Sequence, residues 1–139
     1  MLIHSFRALL VLLSAMAASC VNYAGTYKLS SAFENGSPVH IPPGNFLLQV
    51  READTPNVYP FGIKIGNSLG STFSVSGDDD RTVAVGLMRS TMMMPPPDMF
   101  ELEKALSRIM PTLTSIQLEE DHLVLEGDNA VLSFQVAYS

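Results

Sequence analysis

The chain has 139 residues, of which 47% are hydrophobic, and it carries eight lysine and arginine residues against fourteen aspartate and glutamate residues. This length suits one domain that can bury a core of its own. The formal net charge of −6 and the lack of any lysine- or arginine-rich run argue against binding to a phosphate backbone, which needs clustered cations, so we expect no nucleic-acid partner.

The first 19 residues are predicted to be a secretory signal peptide. His4 and Arg7 precede a continuous apolar stretch over residues 8–13, and mostly small residues fill positions 14–19. This is the usual order of a charged region, an apolar region and a cleavage site. The apolar stretch is far below the roughly 20 residues of a spanning helix. An uncleaved signal anchor and a wrongly placed start are the alternatives. Cleavage would leave residues 20–139 as a secreted or envelope-associated domain without a membrane span.

Cys20 is the only cysteine and follows the predicted cleavage point. In a bacterial export signal, "AAS" before a cysteine is a weak lipoprotein motif, which would make Cys20 the site of lipidation and of a lipid anchor. In a eukaryotic signal, the cysteine is the end of the leader or a stray thiol. A single cysteine forms no intrachain disulfide, so core packing must hold the domain together.

Alternating apolar residues predict short antiparallel strands through most of the remaining chain, each with one buried face. Segments 66–70, 76–81 and 126–130 have the glycine, asparagine and aspartate content of turns. Short strands joined by such turns predict a meander that curls around its apolar face. The alternating apolar positions are Phe46, Leu48, Val50, Tyr59, Phe61, Ile63, Ile65, Phe73, Val75, Val83, Val85, Leu87, Ile116, Leu118, Leu123, Leu125, Leu132, Phe134, Val136 and Tyr138.

One helix is predicted after the proline run at residues 95–97. Asp98 is a suitable N-cap, and Glu101 follows at the spacing of a capping box. Pro111 predicts that the helix ends near Ile109. The predicted apolar face consists of Met99, Leu102, Leu106 and Ile109, flanked by Phe100, Ala105 and Met110. The predicted polar face consists of Glu101, Glu103, Lys104, Ser107 and Arg108. One apolar helix among antiparallel strands predicts the α+β class.

The methionines are concentrated in one part of the chain. Apart from Met1 and Met16, all of them lie between Met88 and Met110. Methionine fills irregular core gaps and is also common on surfaces that accept varied apolar partners. Packing of the helix against the sheet is therefore one interpretation, and an apolar binding surface is the other.

Geometry favours some exposure of these methionines. Successive side chains of an extended run point in opposite directions, so Met93 should point away from Met92 and Met94. An apolar group then remains on the outer face. We take Met92, Met93, Met94 and Met99 as the candidate ligand- or partner-binding residues.

Other candidate chemistry is sparse. His40 and His122 have no ligand-spaced neighbours, and the aspartates at 78–80 lack the glycine and distal glutamate of a calcium loop. No G-x-S-x-G nucleophile motif occurs in the sequence. We therefore expect no catalytic residue, metal or cofactor. Asn35 begins the glycosylation sequon Asn-Gly-Ser, whose use is lowered by the proline that follows.

The order of several motifs resembles the META domain family, which includes bacterial HslJ-like proteins and META proteins of kinetoplastid parasites. The motifs are "GTYKL" at 25–29, Asn35 with Gly36, "STMMMPPPDMFELEKAL" at 90–106 and "LEEDHLVLEGDNAVLSF" at 118–134. Bacterial relatives usually carry cysteine after the paired methionines, whereas this chain has Met94 and looks closer to the parasite branch. The resemblance assigns residues 20–139 to one META domain. It implies a compact antiparallel β-barrel-like meander packed around a single α-helix.

The family fold is similar to that of lipoprotein pilots of bacterial secretins, which hold lipid or a partner peptide. The resemblance thus implies a non-enzymatic protein that binds an apolar small molecule, a lipid or a protein partner, with links to virulence or secretion. The alternative is a structural or stress-protective envelope protein without a dedicated ligand.

Overall fold

The computed structural model describes residues 21–137. The predicted signal peptide, Cys20 and Tyr138 lie outside these residues. The strands are β1 (Gly25–Glu34), β2 (Ser37–Pro38), β3 (Leu47–Val50), β4 (Val58–Lys64), β5 (Ser68–Ser76), β6 (Thr82–Val85), β7 (Arg89–Ser90), β8 (Leu113–Glu119), β9 (His122–Gly127) and β10 (Ala130–Val136). The helix α1 (Pro97–Ile109) runs into a 3-10 helix (Met110–Thr112), which leads into β8. Within residues 21–137, no helix is long and apolar enough to cross a membrane.

The strands form a closed antiparallel barrel. Its wall follows the order β1, β3, β4, β5, β6, β8, β9 and β10, and β10 pairs with β1 to close it. The two-residue strands β2 and β7 are additions to β1 and β5. The predicted barrel-like meander with one helix is confirmed, although the fold is mainly β because the helix is short.

The inward-facing side chains of the wall fill the barrel. Leu48, Phe73, Leu123, Leu132 and Phe134 are completely buried, as the alternation predicted. Leu87 is an exception, because its side chain is 90% exposed. Strand β6 ends at Val85 and β7 begins at Arg89, so Leu87 lies in an unpaired step between two strands and not on the wall.

Helix α1 closes one end of the barrel. Its buried side chains Leu102, Ala105, Leu106 and Ile109 belong to the same core cluster as the wall residues. Arg108 ties the helix to the end of β1 by two hydrogen bonds of 2.7 Å to the Glu34 carboxylate. These bonds lower the pKa of Glu34 below its usual value.

The helix begins earlier than predicted. Pro96 occupies the N-cap position and Pro97 the first turn, and no side chain caps the helix. Asp98 instead lies inside the first turn, where its carboxylate accepts a hydrogen bond from the Met99 N–H at 3.0 Å. The prediction of an Asp98 cap was wrong because proline, with its preset φ, already supplies a suitable first helical residue. A carboxylate in the first turn still complements the helix dipole.

A tyrosine cluster closes the other end. The Tyr23 hydroxyl donates to the Asp80 main-chain oxygen at 2.5 Å, and the Tyr27 hydroxyl donates to the Tyr23 main-chain oxygen at 2.6 Å. The rings of Tyr23 and Tyr59 meet edge to face with centroids 5.8 Å apart. Burial, assisted by the nearby Asp80 charge, raises the pKa of Tyr23 to about 12. Burial, assisted by Tyr59, raises the pKa of Tyr27 to about 12.

Candidate functional site

The methionine segment, which we define as Met92, Met93 and Met94, is exposed. The side chains of these residues are 95%, 63% and 91% exposed, respectively. The predicted alternation assumed that the segment lies on the barrel wall, but it follows β7 outside the strands and none of the three side chains is buried. Met110 is buried in the core, and Met88 and Met99 are partly buried against it. Core packing therefore accounts for those three methionines but not for the methionine segment.

The backbone of the methionine segment is fixed by the side chain of Asn67, which lies in the turn between β4 and β5. The Asn67 side-chain oxygen accepts a hydrogen bond from the Met93 N–H at 2.6 Å. The Asn67 amide nitrogen donates to the Met93 main-chain oxygen at 3.1 Å. Asn67 thus binds both main-chain groups of Met93, as a neighbouring strand would do. The three side chains are exposed on a backbone that is held in place.

Thr91 adds a second attachment beside the methionine segment. Its hydroxyl donates to the Asn67 side-chain oxygen at 3.0 Å and accepts from the Ser68 N–H at 3.0 Å. Its main-chain N–H donates to the Ser68 oxygen at 3.2 Å. Thr91, the residue directly before the methionine segment, is therefore bound to the β4–β5 turn and to the start of β5.

Glu103 of α1 fixes the position of Asn67 through hydrogen bonds. Its carboxylate accepts hydrogen bonds from the Asn67 main-chain N–H at 2.5 Å and from the Asn67 side-chain amide at 2.9 Å. Glu103 is 6% exposed and Asn67 is 4% exposed, so the network is buried. The prediction that Glu103 points to solvent was wrong because a buried carboxylate is tolerated where donors satisfy it. The 36 residues between Asn67 and Glu103 leave no sequence signal for this pair.

The proline run packs directly onto the same turn. A Cβ atom on Gly66 would lie 2.2 Å from the Pro95 Cβ, a distance that two carbon atoms do not approach. Gly66 is therefore required for Pro95 to lie against the turn. Asn67 binds the main chain of Met93, and the prolines that follow Met94 lead directly into α1. The methionine segment is therefore anchored at both ends.

The remaining predicted site residues do not gather into a site. Met99 is partly buried beside the core, and Asn35 is exposed in the β1–β2 turn. His40 is exposed, and His122 pairs with the neighbouring Asp121 at 2.7 Å. Over residues 21–137, no group of three or more histidine, cysteine, aspartate or glutamate residues is placed to hold a metal ion.

Comparison with known proteins identifies a family and a fold. The model of the META domain family matches residues 18–139. A solved structure from Burkholderia xenovorans is similar with a TM-score of 0.66 at 13% identity, over 90% of this chain and 89% of that one. A duf4847 family protein from Bacteroides vulgatus is similar with a TM-score of 0.50 at 16% identity, over 84% of this chain and 94% of that one. At these identities the two structures support the fold alone. A search of curated proteins gives no match.

Proposed function

The chain belongs to the META domain family, and we propose that it is a non-enzymatic, exported binding protein whose methionine segment docks an apolar surface of a protein partner. The observation that supports this proposal most strongly is the exposure of Met92, Met93 and Met94 on a backbone that Asn67 holds in place. Export is proposed from the signal-like residues 1–19.

The filled barrel favours binding on the outside. The helix covers one end and the tyrosine cluster covers the other, while aromatic and aliphatic side chains occupy the interior. An acyl chain needs an apolar enclosure that buries most of its surface. The methionine segment is a protruding surface and cannot enclose one. A protein partner with an apolar groove of its own is the ligand class that suits a protrusion.

Rigid presentation favours affinity. Binding loses free energy when a mobile loop must become ordered, and a preorganised segment avoids much of this loss. Here the backbone is fixed by hydrogen bonds and prolines, while the methionine side chains retain the flexibility to fit an irregular apolar surface. The combination allows close packing without ordering the main chain.

The proposal is tested by replacing Met92, Met93 and Met94 singly with glutamine. Phe33→Gln is the matched control, because Phe33 is an exposed apolar side chain on β1, at 41% exposure, and lies away from β7 in the strand order. Envelope or secreted proteins of the native host that are retained by the wild type would be purified and titrated against each variant. The unfolding midpoint of each variant would be measured in parallel.

We expect at least one methionine substitution to weaken partner binding while the unfolding midpoint stays near that of the wild type. Phe33→Gln should retain binding. A structural or stress-protective role without a dedicated partner predicts a different outcome, in which no retained protein is sensitive to any of the three substitutions. Retention of a fatty acid by the wild type, lost in the same variants, would also contradict a protein partner.

A further inference from the structure

A groove of about 910 Å³ crosses the outer wall of the barrel over β3, β4 and β5. Gly62 of β4 and Gly70 of β5 face each other across the strands and share the outer face of the sheet. Neither residue has a side chain, so the floor of the groove is bare main chain. Leu47 and Pro60 supply apolar edges.

Three cationic side chains border this groove. Arg51 follows β3, Lys64 ends β4 and Arg89 begins β7, and all three are exposed. Within residues 21–137, the ion pairs of lysine and arginine involve Arg81, Lys104 and Arg108 instead. No aspartate or glutamate occurs in β3, β4, β5 or β7. A chain with a net charge of −6 therefore places around one depression three cations that form no ion pair with another residue of 21–137.

Strand register fixes the spacing of these cations. Arg51 lies opposite Pro60, to whose oxygen its N–H donates at 2.8 Å, and Lys64 is four residues further along β4. The two cations are therefore about 14 Å apart along the strand direction. Arg89 pairs with Gly70, which pairs with Gly62, so Arg89 lies two strand spacings, about 10 Å, to the side of Gly62. The cations surround the bare floor at its two ends and on one side.

We propose that this groove binds an extended acidic segment of a protein partner, with carboxylates at alternate residues. Alternate side chains of an extended peptide are about 7 Å apart, so carboxylates at three such positions cover the distance of about 14 Å from Arg51 to Lys64. The middle carboxylate then lies on the level of Arg89. One compact anion cannot reach across this span. A planar membrane surface could meet the rim cations but could not reach the bare main chain of the floor. The glycine pair lets a peptide main chain approach the sheet closely.

The inference does not rest on the methionine segment, and its decisive variant leaves that segment intact. In Gly62→Val, the new Cβ would meet only the Leu69 main-chain oxygen, at 3.7 Å, which is ordinary contact. Valine also suits a strand. The substitution therefore adds a side chain to the floor of the groove with no close contact at its Cβ. Arg51→Gln and Arg89→Gln remove charge from the rim, and Lys104→Gln is the matched charge control on the exposed face of α1.

The probe is a synthetic peptide of alternating glutamate and serine, titrated against the purified full chain at low and moderate salt. A peptide with glutamine in place of glutamate, inorganic phosphate and vesicles rich in phosphatidylserine are tested beside it. Unfolding midpoints show whether each variant is folded. We expect the acidic peptide to bind the wild type in a salt-sensitive manner. Gly62→Val should weaken binding by about tenfold or more, and each of Arg51→Gln and Arg89→Gln by about two- to fivefold, because the two arginines are exposed. Lys104→Gln should leave it unchanged.

Three results would overturn the inference. The first is wild-type binding that Gly62→Val leaves unchanged in a folded protein. The second is equal binding of the glutamine peptide. The third is binding of phosphate or vesicles without binding of the acidic peptide, which would assign the cations to a different ligand.

Discussion

The carboxylate of Glu103 in α1 holds Asn67 in the β4–β5 turn by two hydrogen bonds, and Asn67 in turn holds the main chain of Met93. A buried polar network thus links the helix, a hairpin turn and the exposed methionine segment. Stability and surface presentation depend on the same carboxylate.

Glu103→Ala should destabilise the protein, because it leaves two buried donors of Asn67 without an acceptor. The expected loss is roughly 1–3 kcal/mol for each group left unsatisfied. Glu101→Ala is the control, since Glu101 makes only an exposed pair with Lys104 at 3.5 Å and its loss should cost less than about 1 kcal/mol. Chemical denaturation measures both. Similar losses from the two substitutions would mean that the network does not stabilise the fold.

Leu106→Ala should also destabilise strongly. Leu106 is 1% exposed at the helix–barrel contact, and deleting such a side chain costs roughly 2–5 kcal/mol. Lys104→Ala, on the exposed face, removes a surface ion pair and a contact 5.1 Å above the Phe100 ring, which together should contribute less than about 1 kcal/mol. If Lys104→Ala cost as much as Leu106→Ala in thermal unfolding, the helix would not present this face to the core.

The limits of sequence interpretation are clearest in α1. Periodicity correctly predicted that Leu102, Leu106 and Ile109 face the core, because hydrophobic spacing is local information. The burial of Glu103 could not be predicted, since its donors come from a turn 36 residues away. Exposure of the methionine segment followed only in part from the sequence. Alternation implied one outward side chain, whereas all three are exposed because the segment leaves the wall after β7.

The tyrosine cluster predicts a sensitivity to alkali. The pKa values of Tyr23 and Tyr27 are raised to about 12 in the folded protein, whereas an unfolded tyrosine has a pKa of about 10. Between these values the folded state binds more protons, so its stability is complete below pH of about 10 and falls as the pH rises toward 12. The slope contributed by each tyrosine is at most about 1.4 kcal/mol per pH unit, and solvent screening reduces it.

Denaturant titrations between pH 9 and 12 would measure this slope against Tyr23→Phe and Tyr27→Phe. Each variant lacks one titrating hydroxyl, so each should have a lower baseline stability and a shallower loss with pH. A wild-type slope that neither substitution reduces would assign alkaline unfolding to other groups.

Export should remove the first 19 residues. In its native host the protein is predicted to leave the cytosol and to begin at or near Cys20, which N-terminal peptide mapping would show. Mass analysis of the same peptide would reveal a lipid on Cys20 if the chain is anchored. Cytosolic protein that retains Met1 would contradict export.

Photo-crosslinking from position 93 in the native host tests the central claim most directly. A photoreactive amino acid would replace Met93, and the control would carry it at the exposed Gln135 of β10. Docking by the methionine segment predicts a discrete protein adduct from position 93, absent from position 135. That adduct should disappear when Met92 and Met94 are changed to glutamine, with the unfolding midpoint unaltered. Identical adducts from both positions, or an adduct at position 93 that survives both glutamine substitutions, would contradict the account.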